Sequence, residues 1–176
     1  KVRDRYETYI DDKSLVPWLF KRRVNEGGYI INQDYSFDRF NNKVVTENGK
    51  EFIVSENIQD MISAFYQART LDFSKIKKGD MFSLDCFIDE EVFPVKIKFQ
   101  GFQMVKIKLG EFKCLKFSPV IQTGRIFKHK DDLSIYVSND ENHILIKAEA
   151  DILFGTIEVE LIEFKGLINK IDYNIN

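Results

Sequence analysis

Cysteine is nearly missing from this chain. Of 176 residues only Cys86 and Cys114 carry a thiol, which excludes a four-cysteine zinc site and a disulfide-dense scaffold. Histidine is equally scarce: His129 in "KHKDD" and His143 in "DENHILI" both lie beside turns in polar sequence, and solvated surface explains them better than metal binding or catalysis. No charge of one sign dominates. The 26 Lys and Arg are interspersed with 28 Asp and Glu, for a formal net charge of -2, so no field exists to gather nucleic acid or an anionic membrane, and neither partner is expected. No apolar run approaches the roughly 18 to 20 residues of a membrane helix. Catalytic signatures are missing too. There is no G-x-S-x-G elbow, no G-x-x-x-x-G-K-[ST] phosphate loop, no H-E-x-x-H and no dinucleotide fingerprint, and no cofactor is expected.

What is present is core material. Hydrophobic residues make up 44% of the chain, and 16 residues are Phe, enough to build a core without metal or disulfides. The length fits one domain, expected over residues 1–166, followed by a weakly patterned tail, 167–176, that reads as a frayed end or an edge strand. The chain starts at Lys1 and enters a strand-like pattern at once, which leads to the expectation that upstream residues, a leader among them, precede it.

The pattern is strand after strand. A first strand reads near Val2 to Ile10. Gly27 and Gly28 as a two-residue turn then pair Val24 with Ile31, Arg22 with Gln33, Phe20 with Tyr35 and Trp18 with Phe37, placing all eight on one face. Lys21 and Asp34 fall opposite each other on the other face. Asn48 and Gly49 suit a type I′ turn that sets Val45 opposite Phe52 and Glu47 opposite Lys50. Further strands read as Met81 to Ile88, Val92 to Phe99, Phe102 to Leu109 and Glu111 to Phe117. Gly110 opens a type II′ turn that sets Phe112 opposite Leu109 and Cys114 opposite Ile107. After a loop through Pro119 and Gly124, strands follow at Arg125 to Lys128, Leu133 to Val137, His143 to Ala150 and Gly155 to Phe164. In the last, Ile157, Val159 and Leu161 alternate with Glu158 and Glu160, an apolar face turned inward and an acidic one in water.

One helix interrupts the strands, over about 57–70. Ser55 or Asn57 caps it, and Ile58, Met61, Ile62, Phe65 and Ala68 form its apolar stripe. The fold class is therefore mainly β: an antiparallel meander forming a strongly curved sheet or incomplete β-barrel, with one amphipathic helix packed on it. In a simple meander Cys86 and Cys114 lie three strands apart, about 14 Å. A disulfide needs Cα atoms within about 7 Å, so two buried free thiols are expected.

Two kinds of site stand out. Trp18, Phe20, Tyr35 and Phe37 share a face with Arg22, which suits a pocket for a hydrophobic ligand with an anionic head group; the competing reading is plain aromatic core with Arg22 paired to an acid. Tyr66 and Arg69 lie off the helical stripe, and Arg69 also complements the helix dipole. The acidic pairs Asp11/Asp12, Glu90/Glu91 and Asp131/Asp132 read as turn formers before they read as catalytic carboxylates. "NDEN", Asn139 to Asn142, reads as a hairpin loop before a calcium site.

The segments "DRYETYIDDKSLVPWLFKRRVNEGGYI", "DYSFD", "DMISAFYQARTLDFSKIKKGD" and "GEFKCLKFSPVIQTGRIFKHKDDLSIYVSND" resemble, in order, a family of bacterial exported proteins known as domain of unknown function 3108. The match runs to about Gly166. Its most specific pieces are Asp60, Ser63, Ala64, Tyr66 and Arg69 in the helix and the turn of Pro119, Gly124 and Phe127. The resemblance implies a mostly β fold, a cleaved leader or lipoprotein signal, and residence in the periplasm or outer envelope; it implies no activity. The leading expectation is a non-enzymatic envelope protein that binds a hydrophobic or lipid-like small molecule through Trp18, Phe20, Arg22, Tyr35, Phe37, Tyr66 and Arg69. Two alternatives stand beside it: a solid-cored module that binds another envelope protein, and a carboxylate-dependent hydrolase.

Overall fold

The computed structural model describes residues 3–120, 133–152 and 155–174. The expected strand at 125–128, the Gly124 and Phe127 turn, His129 and the Asp131/Asp132 pair lie outside the described residues.

Among the described residues twelve strands and one short helix follow in order: β1 Arg5–Ile10, β2 Pro17–Glu26, β3 Tyr29–Asp38, β4 Lys43–Thr46, β5 Glu51–Ile53, α1 Ser63–Ala68, β6 Met81–Ile88, β7 Glu91–Ile107, β8 Gly110–Pro119, β9 Leu133–Ser138, β10 Leu145–Ile152, β11 Gly155–Glu160 and β12 Tyr173–Asn174. They build two antiparallel sheets, β1-β2-β3-β4-β5 and β11-β10-β9-β8-β7-β6, with β12 paired to β8. The fold is mainly β with one helix, and neither sheet closes on itself among the described residues. The chain divides into two compact units, Lys1–Ala68 with Leu84–Pro94, and Arg69–Ser83 with Val95–Asn176.

In the first unit, the β2–β3 hairpin has the register that its Gly27-Gly28 turn dictates: Val24 faces Ile31, Arg22 faces Gln33 and Phe20 faces Tyr35. Both glycines adopt positive φ, 59° and 103°, a conformation that costs glycine little. Phe20, Tyr35, Phe37, Val44, Ile58 and Phe87 form the core of this unit, with Phe52, Met61 and Ile62 against it. On the outer face Lys21 does stand opposite Asp34, but the ion pair of Asp34 is with Arg23.

The second hairpin departs from expectation. Val44, not Val45, faces Phe52, because the loop holds three residues: Thr46 and Lys50 bond across it, and Gly49 N–H donates to Thr46 O at 2.9 Å. Only Gly49 needs positive φ, and Asn48 spends its side-chain oxygen on the Thr46 hydroxyl at 2.6 Å. The one-residue shift buries Val44 completely.

The helix is also shorter than its apolar stripe predicts. Gln59 N–H donates to Asp85 O at 2.9 Å and Phe87 N–H to Gln59 O at 2.7 Å, so Ile58 to Asp60 are held as a parallel bridge beside Cys86. The helix starts only after this bridge. Its cap is Asp60, not Ser55 or Asn57: Asp60 Oδ1 accepts from the N–H groups of Ile62 (2.7 Å) and Ser63 (2.8 Å), and Ser63 Oγ accepts from Asp60 N–H (2.8 Å). This reciprocal arrangement is a capping box. It buries Ser63 and Ala64 and leaves Phe65 53% exposed.

In the second sheet the expected strands Val92 to Phe99 and Phe102 to Leu109 are one strand, β7, interrupted by a bulge at Gln100 where Gly101 takes φ 129°. Ile107 faces Gly110 and Phe112 faces Val105, so the turn is Lys108-Leu109 rather than Leu109 to Phe112. One side of this sheet buries Val105, Ile107, Phe112, Cys114, Tyr136 and Ile146 beneath the tail residues Leu161, Phe164, Leu167 and Ile171. The tail is thus docked, with Tyr173 stacked on Phe112 and β12 registered on β8. The opposite side buries Phe99, Leu115 and Phe117 beneath Phe73, Ile76 and Phe82. Both cysteines are free and buried.

Candidate functional site

The residues singled out in the sequence fall into separate places. Phe20, Tyr35 and Phe37 are core. Trp18 is the extra residue of a bulge, since Tyr9 pairs with Leu19 and Ile10 with Pro17; it is 41% exposed and stands with Phe40 and beneath Arg39, whose guanidinium lies 5.1 Å from the indole centroid. Tyr66 is exposed on α1. Arg69 follows the helix, and its Nε donates to Asn142 O at 3.0 Å while the imidazole Nδ1 of His143 meets Arg69 O at 2.8 Å. His143 packs edge-on against Phe73. It is a clip between chain segments, a role that its polar neighbours in sequence do not signal.

Arg22 sits at the rim of the first core. Its Nη1 donates to Asp89 Oδ1 at 3.0 Å and to Gln33 Oε1 at 3.3 Å, and Tyr6 lies 5.7 Å from the guanidinium. Asp89 reaches it from the β6–β7 turn, where Asp89 (φ 50°) and Glu90 (φ 63°) both take the left-handed conformation. Glu90 in turn pairs with Lys50 at 2.7 Å. Phe20, Arg22, Gln33, Tyr35, Met61, Phe87, Ile88 and Asp89 line a recess of ≈ 10 Å³, roughly the room for one water. Burial, and then the nearby charge of Asp89, push the Tyr35 phenol up to about 12. Arg22 therefore has a carboxylate partner, and the recess beside it is too small for a lipid.

The broader apolar surface lies in the second sheet. Register aligns one residue from each of five strands in a transverse row: Phe99, Phe117, Ile135, Ala148 and Val159. Phe99 and Phe117 are buried, Ile135 and Ala148 are half-buried, and Val159 is 56% exposed. Beside this row Ala150 pairs with both Leu133 and Ile157, and Ile157 is 54% exposed. At the other flank of the same face, Phe102 and Met104 are exposed as well.

The alternation along β11 is present, but both of its faces meet solvent, Glu158 as well as its apolar neighbours. The apolar residues Ile157 and Val159 face solvent. The acids face Lys147, whose Nζ lies 2.7 Å from Glu149, 3.3 Å from Glu158 and 3.8 Å from Glu160. That ammonium, and the Tyr136 hydroxyl at 3.0 Å, hold the Glu149 carboxyl below its ordinary range.

Two more of the acids weighed in the sequence, Asp11 and Asp140, are held locally. Asp11 Oδ1 accepts from Ser14 N–H, the Ser14 hydroxyl and Lys13 N–H, which lowers its pKa. Asp140 Oδ1 accepts from Asn142 N–H at 2.7 Å and from the Ser138 hydroxyl at 3.1 Å. Among the described residues no three His, Cys, Asp or Glu side chains are grouped to hold a metal ion, and no helix is long and apolar enough to cross a membrane.

Among the described residues, two open antiparallel sheets and one short helix define the class, a mainly β protein, and a solved structure is similar in fold. A beta-barrel-like protein of domain of unknown function DUF1849 from Brucella abortus is similar with a TM-score of 0.56 and 10% identity, over 92% of this chain and 72% of that one; at such identity the likeness concerns the fold alone. The chain itself belongs to the family described as protein of unknown function (DUF3108), whose model matches residues 1–162. No curated protein matches it.

Proposed function

We propose that this is a non-enzymatic protein of the bacterial cell envelope, exported to the periplasm or outer envelope, which carries a hydrophobic, lipid-like ligand on the apolar face of its second sheet. The observation that carries the reading is the row from Phe99 to Val159, which begins in dry core and runs out onto bare surface without a charged side chain. Apolar surface left in water costs roughly 25 cal/mol per Å², and contiguous exposure of this kind marks a binding face more often than chance. Alanines at 148 and 150 leave a shallow floor between larger neighbours, and an acyl chain needs no hydrogen-bonding partner there. The place in the envelope is the expectation attached to the family resemblance.

The test is to express the full-length protein in a bacterial envelope, extract it with organic solvent and identify the extract by mass spectrometry. Alongside it, delipidated protein is titrated with 11-(dansylamino)undecanoic acid. A co-purifying lipid and saturable dansyl binding are expected, with binding weakened at least tenfold by Ala148→Arg and unchanged by Trp18→Ala. Absence of both lipid and saturable binding sinks the proposal.

A further inference from the structure

The strand β11 is the edge of its sheet, and no described strand lies beyond it. Its two edges are not equivalent. Leu161 N–H donates to Ile146 O at 2.9 Å, and the same register continues through Ala148 with Val159 and Ala150 with Ile157. Antiparallel pairs alternate between bonded and non-bonded. Val159 and Ile157 therefore bond inward to β10, while Thr156, Glu158 and Glu160 turn their N–H and C=O groups outward. Those outward positions carry the acids. Three carboxylates, Glu149, Glu158 and Glu160, share the single ammonium of Lys147, and the positions between them present Ile157 and Val159.

We infer that the outer edge of β11 is a docking site for an extended segment of another protein in which apolar residues alternate with Lys or Arg. Such a strand would add to the sheet by main-chain hydrogen bonds, the mode known as β-augmentation. Its basic residues would stand opposite Glu158 and Glu160, and its apolar residues would extend the row that ends at Val159. The charge pattern excludes a second copy of this chain as occupant. Antiparallel pairing of β11 with itself sets glutamate against glutamate, and like charges directly opposite are destabilising. Proteins commonly blunt such an edge with charges, bulges or proline; the described part of β11 has neither bulge nor proline, and its only charges are the acids that select a basic partner.

The probe is a nine-residue peptide alternating Lys and Val, with a Glu and Val counterpart as control, titrated by fluorescence anisotropy into the full chain. The Lys peptide is expected to bind at least tenfold tighter than the Glu peptide. Glu158→Pro removes an outward N–H without touching a bond to β10, so the fold is retained and peptide binding falls at least tenfold. Glu158→Lys with Glu160→Lys reverses the preference between the peptides and keeps the case decidable if the proline variant proves unstable. Dansyl-lipid binding is unaffected by these changes, because the acids lie on the other face, so this inference and the ligand reading fail separately. Equal affinity for both peptides would overturn it, as would amide protection at 156, 158 and 160 in the free chain equal to that of β8, or a dimer abolished by Glu158→Pro.

Discussion

Thr8 donates its hydroxyl to Oδ2 of Asp60, a residue 52 positions further along the chain. The bond ties the edge strand β1 to the start of α1, and it does so at a carboxyl that solvent does not reach. Burial outweighs the three donors that Asp60 collects and raises its pKa above the ordinary 3.8.

A raised carboxyl pKa means that the folded state holds the proton more tightly than the unfolded chain does. The contribution of Asp60 to stability is then complete below about 3.8 and is lost as pH rises through the folded value. Asp60→Asn keeps the acceptor for Ile62 and Ser63 and offers its amide to Thr8, but has no charge to bury. Urea unfolding of the two proteins from pH 3.5 to 7 is expected to favour the Asn variant progressively as pH rises. A flat difference would refute this. Asp60→Ala loses the cap altogether and is expected to cost about 2 kcal/mol at any of these pH values.

Both thiols are predicted to be inert in the native state. Burial, first of all, pushes Cys86 and Cys114 up to about 12 from 9.0, and a thiolate is the reacting species. Two thiols should react with Ellman's reagent in denaturant and none within minutes at pH 8 without it. The sign for stability is that of any acid with a raised pKa: the contribution is complete below about pH 9 and is lost between 9 and 12. Rapid labelling of one native thiol would contradict the buried placement.

The β6–β7 turn offers one substitution with two opposite outcomes. Glu90→Gly relieves a left-handed glutamate, worth about 1 to 2 kcal/mol, and gives up an ion pair with the exposed Lys50, worth about 0 to 1 kcal/mol. The net expectation is unchanged or higher stability. Asp89→Gly relieves similar strain but deprives the mostly buried Arg22 of its carboxylate, and a loss of about 1 to 2 kcal/mol is expected. Thermal unfolding of the pair decides it; a lower Tm for Glu90→Gly than for Asp89→Gly would show the argument from the Arg22–Asp89 pair to be wrong.

Gly110 has no room for a side chain. Its φ is 150°, and an added Cβ would collide with the carbonyl oxygen of Asn174 and touch the Tyr173 ring. Gly110→Ala is expected to cost at least about 2 kcal/mol and to release Tyr173 and Asn174 from β8. Hydrogen exchange should show their amide protection lost while that of β9 persists. Unchanged protection in the tail would contradict the packing.

What the sequence made legible was local. The Gly27-Gly28 turn sets the β2–β3 register because no other loop length aligns Phe20 with Tyr35 so simply. Asn48-Gly49 and Leu109-Gly110 each admit a second turn that differs in register, and burial of Val44 and of Phe112 decides between the alternatives. The helix was overextended because Ile58 and Met61 have helical spacing, while the bridge that claims Gln59 depends on β6, more than twenty residues away. The candidate site was hidden for the same reason. Nothing near Arg22 points to Asp89, and nothing near His143 points to Arg69. Alternation along β11 identifies two faces, but that the apolar one also meets solvent depends on what the rest of the chain packs against it.

Asn142 is buried in the β9–β10 turn, where its amide donates to Asn169 O at 3.0 Å and its carbonyl accepts from Asn169 N–H at 3.2 Å. Its own backbone oxygen takes the Arg69 guanidinium. One side chain thus depends on a segment 27 residues further along the chain, and without residues 161–173 Phe112, Cys114 and Ile146 would have no cover on that side. The second unit is therefore complete only when that segment has docked. That segment works as a clasp, whose loss would leave the strands paired but one face of the sheet bare.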